Sequence, residues 1–156
     1  MYLSYNEETN KILNKYGLSG ITYENNEPNF RPVAKAIVNI EGMSSKRMGS
    51  SVNPGNYELA DIELANILNS DPNHSLWNDV FRNNTVLEKV IENNGEIEAR
   101  DISVIRDKNK LTWHEESDLK AMVLVDTDIN KTFKHSGGVS EDKAKVEGKR
   151  YKYKSC

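Results

Sequence analysis

The stretch from Thr112 to Gly138, TWHEESDLKAMVLVDTDINKTFKHSGG, constrains the fold more than any other part of this chain. Leu111 to His114 reads as one strand, Ser117-Asp118 as a turn, and Lys120 to Val125 as a second strand able to pair back on the first. Thr127 to about His135 reads as a short helix. Asp126 or Thr127 serves as its N-cap, and Gly137 stands where a left-handed cap belongs. Two of the chain's three histidines, His114 and His135, lie in this stretch. Two strands and a helix can thus bring imidazole, carboxylate and amide groups close enough to share one metal ion or phosphate.

The residues before it read as an α+β chain with helices first. Residues 5–16 place Ile12, Leu13 and Tyr16 on one helical face before Gly17. Residues 17–32 are rich in turn formers around a short strand, Ile21-Thr22-Tyr23. Pro32 to Ile40 reads as a strand, and residues 42–56 as a Gly/Ser/Asn loop that is mobile or touches a ligand. Tyr57 to Leu68 and Ser75 to Ile91 carry helical spacing, broken by Asp71-Pro72-Asn73 and ended by Asn93-Asn94-Gly95. Ile97 and Ile102-Ser103-Val104-Ile105 read as strand. The expected division is an accessory part over 1–98, a ββα core over 99–150 and a basic tail over 151–156.

At 156 residues the chain is long enough for one full domain. Its only cysteine is Cys156, which excludes an internal disulfide framework and a cysteine-based zinc site. The opening MYLSYNEETNKI has no apolar run, so it is neither a signal peptide nor a membrane span, and any export is supplied from outside this sequence. The 19 asparagines, with pairs at 25–26, 83–84 and 93–94, fit an AT-rich coding sequence. Net charge is −3 but unevenly spread, −6 over residues 1–99 and +3 over 100–156. The basic end, including Lys131, Lys134, Lys143 and Lys145, suits a polyanion, because each neutralised phosphate releases counterions; on charge alone, however, the reading as a solvated terminus prevails.

Hydrolysis of a phosphodiester with one metal ion needs groups of the kinds gathered here. An imidazole titrates near neutrality and can take the proton of an attacking water. A second imidazole and nearby oxygens can hold a divalent ion that polarises the phosphate. On a strand, Glu116 shares the face of His114 and Glu115 points the other way. Asn130 and His135, five positions apart, are separated by about 500° on an ideal helix, so His135 belongs on a loosened last turn.

The stretch Leu111–Glu141 resembles the HNH/endonuclease VII superfamily nucleases of bacterial polymorphic toxins, in the branch with a Trp-His-His or Trp-His-Glu motif. The residues that carry it are Trp113-His114-Glu115, Met122-x-Leu124-Val125, His135-Ser136-Gly137-Gly138 and Ser140-Glu141. About 30 of the 156 residues are covered, with weaker similarity at Gly20-Ile21, Arg31-Pro32-Val33 and Ala60-Asp61. The resemblance implies a ββα-metal (His-Me finger) core, one divalent ion (Mg²⁺, Mn²⁺, Zn²⁺ or Ni²⁺), cleavage of DNA or RNA, and a cognate immunity protein. By position it makes His114 the general base or a ligand, and His135 a metal ligand. The chain departs from the family at Asn130, where a histidine is usual, and at Val123-Leu124-Val125-Asp126, where Gln-Leu-Val-Pro is usual. Asn130 then coordinates through its amide oxygen, and Asp126 and Asp128 are compensating carboxylates.

The expectation is therefore a metal-dependent endonuclease toxin domain, DNA preferred over RNA, carried at the C-terminal end of a larger exported protein and acting in the target-cell cytoplasm. His114, Glu115 and Asn130 are its catalytic candidates, His135 and Asn130 its metal ligands, and Lys131, Lys134, Lys143 and Lys145 its nucleic-acid contacts. Two rivals stand beside it. One is a nuclease-like binding module silenced by Asn130; the other is a metal-free ribonuclease using a His114/Glu115 acid–base pair.

Overall fold

Ala121 to Val125 is apolar without a break, and a strand covered on both faces keeps such a run out of water. A computed structural model, describing residues 1–44, 47–49, 53–79 and 95–133, places it there. β7 (Ala121–Asp126) is the middle of a three-stranded antiparallel sheet, between β5 (Ala36–Asn39) and β6 (Leu111–Glu115). The register aligns Ile37, Val123 and His114 in one row across the sheet. Its neighbouring rows are Ala36-Leu124-Trp113 and Val38-Met122-Glu115. Alternate rows face opposite sides.

Helices cover both sides. The Trp113 face packs against α2 (Asn56–Ser70) and α4 (Ala99–Lys108), where Leu64, Leu68, Ile102 and Ile105 join Val38, Trp113, Met122 and Leu124. A short α3 (Ser75–Asp79) adds Leu76 to that cluster. The opposite face packs against α1 (Glu7–Lys15) and α5 (Thr127–Thr132), through Leu13, Phe30, Ile129 and Phe133 on Val123 and Val125. Each such side chain, at most a few per cent exposed, contributes about 1.5–3 kcal/mol by leaving water. The architecture is α+β in three layers, with the sheet between two separate cores.

Small hairpins and caps fix the ends. β1 (Tyr2–Leu3) pairs with β2 (Gly20–Ile21), and β3 (Tyr23–Glu24) with β4 (Glu27–Pro28). Asn25 and Asn26 link the second pair with φ of 52° and 62°, the left-handed geometry of a two-residue hairpin that asparagine tolerates. These two asparagines thus have a structural reason that composition did not reveal. Asn6 caps α1 through the Thr9 N–H (3.0 Å). The Thr9 and Thr132 hydroxyls, 2.7 Å apart, tie α1 to α5.

Two expectations about local structure are corrected. Residues 102–105 are helical, not strand: the Glu98 N–H donates to Asp101 (2.8 Å) in the first turn, and Ile102 and Ile105 face inward at helical spacing. Pro32 to Ile40 is not one strand. Pro32 sits inside a 3₁₀ turn (Arg31–Val33), since proline has no N–H for a ladder, and the strand is confined to Ala36–Asn39. β5, from the first 98 residues, lies in the same sheet as the hairpin, and α2 and α4 share one core across the 98/99 boundary. Helix Ser75–Ile91 is described only over Ser75–Asp79. His135 and everything after Phe133 lie outside the described residues.

Candidate functional site

His114 and Glu115 are neighbours in sequence, and the pleat of β6 sends them into different surroundings. His114, 2% exposed, sits on the α1/α5 face with its ring edge-on to Phe30, centroids 4.7 Å apart. Its Nε2 lies 3.0 Å from a carboxylate oxygen of Glu27 on β4. The two oxygens of Glu27 also accept the Ser117 N–H, at 3.0 and 3.1 Å, at the start of the β6–β7 turn. Burial alone raises a carboxyl pKa; here the bonds from His114 and Ser117 outweigh it and hold Glu27 below its ordinary value. Sequence reasoning missed Glu27 because its segment reads only as turn formers, and its partner is 87 residues away.

Glu115 is buried on the opposite face. It accepts Arg47 Nε at 2.5 Å and Asn56 Nδ2 at 2.6 Å. Asn56, at the start of α2, also accepts the Ser44 N–H (3.0 Å) and donates to the Ser44 carbonyl (2.7 Å). Part of the loop over 42–56, read from sequence as mobile or ligand-touching, is therefore held against α2 by Glu115. Gly55 permits the close approach: a Cβ there would meet backbone atoms of Arg47 and Met48 at 2.7 Å. Beside this, Asp61 accepts Arg106 Nε and Nη2 (2.9 and 2.8 Å) and Trp113 Nε1 (2.8 Å). Burial raises the Asp61 carboxyl, against the lowering pull of Arg106 and Trp113.

The remaining candidates lie around α5. Asn130 is half-buried, and its Oδ1 is buried with no hydrogen-bond partner among the described residues. Such an oxygen fits a cation as well as a donor. Lys131 is exposed on the same helix. Asp126 accepts the Tyr16 hydroxyl at 3.3 Å, and its pKa is raised by burial despite Lys35. Asp128 lends its carbonyl to Thr9 (3.3 Å) and Thr132 (2.7 Å). His135, Lys134, Lys143 and Lys145 lie outside the described residues, so the meeting of the two imidazoles has no geometry here. Among the described residues, no three His, Cys, Asp or Glu side chains cluster as a metal-binding group.

The structure thus brings His114 to Glu27 and places Glu115 on the other side of the sheet. A groove of about 220 Å³ borders the Glu27 side, lined by Glu24, Glu27, Arg31, Glu116 and Asp118 among others. Glu116 pairs with Arg31 at 3.0 and 2.6 Å, so the lining is net negative and repels a phosphate. A larger cavity, about 660 Å³, lies beside the Asp61–Arg106 pair. Among the described residues no helix is long and apolar enough to cross a membrane.

A family model described as the DNase/tRNase domain of colicin-like bacteriocin matches residues 20–137, about three-quarters of the chain. No curated protein and no solved structure matches it.

Proposed function

Because this chain belongs to the family of DNase/tRNase domains of colicin-like bacteriocins, and is accordingly a nuclease toxin domain, we propose that it is an HNH-type endonuclease that hydrolyses DNA with a divalent metal ion. The observation that carries the reading is the buried His114–Glu27 pair (3.0 Å) on the face of the β6–β7 hairpin that α5 covers, within the matched residues. His114 is the group that takes the proton from the attacking water. Asn130 and His135 would hold the ion, which when bound would polarise the phosphate and stabilise the leaving oxygen. The Oδ1 of Asn130, without a hydrogen-bond partner among the described residues, suits that role, since it is an oxygen acceptor already removed from water. Lys131, with Lys134, Lys143 and Lys145, would meet the phosphate backbone.

Residues 1–98 would support this core and offer an acidic surface to a cognate immunity protein, with 99–150 supplying the reacting groups. The domain would travel as the C-terminal part of a larger exported protein and act in the target-cell cytoplasm. A single-site acid–base pair of His114 and Glu115 gains no support from side chains on opposite faces of β6.

Plasmid nicking tests the proposal. Wild type is assayed with Mg²⁺, Mn²⁺, Zn²⁺ or Ni²⁺ and with EDTA, beside His114→Ala and a parallel tRNA substrate. Metal-dependent nicking that disappears in His114→Ala supports it. DNA binding without cleavage identifies a silenced module, and RNA cleavage persisting in EDTA identifies a metal-free ribonuclease.

A further inference from the structure

We propose that Glu27 is the positioning residue of His114: its carboxylate fixes the ring through Nε2 and is itself pinned by the turn that closes the hairpin. This rests on His114 being the base.

Three contacts carry the inference. The Glu27–His114 pair is almost dry: the imidazole side chain is 1% exposed, the carboxylate 11%. Phe30 packs edge-to-face against the ring, with centroids 4.7 Å apart. The Ser117 N–H, bonded to both Glu27 oxygens, sets the carboxylate in one orientation. A carboxylate accepts and cannot donate, so the Nε2 it faces carries the proton. The neutral ring then has its lone pair on Nδ1, and the basic atom is selected by a residue that itself touches no reacting atom.

Two features separate this from ordinary core packing. The N–H of a buried imidazole needs an acceptor, for which any carbonyl would serve; here it meets a carboxylate whose two oxygens share one backbone N–H. Glu27 also stands on a hairpin apart from the sheet, and among the described residues its carboxylate is tied to β6 and the turn through His114 and Ser117. Removing the carboxylate takes from Nε2 the acceptor it faces.

The test compares wild type with Glu27→Ala, Glu27→Gln and Glu27→Asp. Nitrogen-15 NMR of the imidazoles reads the tautomer without any catalysis; only three histidines contribute, and His114→Ala assigns the signal. The expected result is an Nε2–H tautomer in wild type, a mixed population in Glu27→Ala, and recovery in Glu27→Asp. Metal-dependent nicking should fall about 10- to 100-fold in kcat for Glu27→Ala with KM nearly unchanged, by analogy with carboxylates that orient a metal-ligating histidine. Glu27→Gln, which keeps an acceptor oxygen, covers the case in which the alanine variant fails to fold. An Nδ1–H tautomer in wild type overturns the proposal whichever variants fold, as does an unchanged kcat in a folded Glu27→Ala. If His114→Ala itself nicks at the wild-type rate, the base assignment has failed, and the tautomer series shows separately whether Glu27 orders the ring.

Discussion

Replacing Asp61 by alanine isolates the cost of leaving a buried cation unpaired. The carboxylate accepts two hydrogen bonds from Arg106 and one from the Trp113 indole, with side chains only 4% (Asp61) and 11% (Arg106) exposed. Breaking a buried pair from one side costs about 3–5 kcal/mol, because the guanidinium keeps its desolvation and loses its partner. The orphaned indole N–H adds about 1 kcal/mol or more. The expected loss, about 4–6 kcal/mol, is comparable with the whole stability of an ordinary domain, about 5–15 kcal/mol. At a urea m-value of about 2 kcal/mol/M, the midpoint falls by about 2–3 M. Circular dichroism beside tryptophan fluorescence follows the transition. The paired change Asp61→Leu with Arg106→Met removes both charges and should return to within about 2 kcal/mol of wild type. A single-variant loss under about 1.5 kcal/mol, or a double variant merely additive with its singles, would refute the account.

Glu27 has a folded pKa below its ordinary 4.5, so its contribution to stability is complete above that pH and is lost as pH falls through the lowered value. The penalty of Glu27→Gln in chemical denaturation should therefore be largest at neutral pH and shrink in acid; a penalty independent of pH contradicts this. Gly55→Ala forces a Cβ within 2.7 Å of the Arg47 and Met48 backbone and should cost about 1–3 kcal/mol, checked by thermal melting. Lys131→Ala should lower the slope of log affinity for duplex DNA against log salt by about 0.9 and leave the folding midpoint unchanged; an identical slope removes Lys131 from the DNA contact.

How much of this the sequence disclosed depended on the range of the interactions. The hairpin was legible because a polar turn, an unbroken apolar run and a helix start follow one another locally. β6 and β7 lie where that pattern put them; α5 begins at Thr127 as expected but ends at Thr132, short of His135. The segment 102–105 misled because two isoleucines and a valine favour a strand locally, whereas Asp101 at the helix start and the α2 surface decide the outcome. The site partners of His114 and Glu115 were illegible. Glu27, Arg47 and Asn56 arrive from 87, 68 and 59 residues away, and no spacing rule connects them to the motif. β5 escaped as a member of the sheet for the same reason: strand order is written in tertiary pairing.

The opposed surroundings of positions 114 and 115 forbid sliding. If β6 shifted by one residue along β7, either the imidazole would enter the slot beside the guanidinium of Arg47 or the Glu115 carboxylate the slot beside the benzyl group of Phe30, depending on the direction. Each mismatch strands a polar group in a dry interior, so the hairpin has one tolerable alignment, guarded from above and below. Two adjacent letters of a motif thereby act as a ratchet pawl for the strand that bears them.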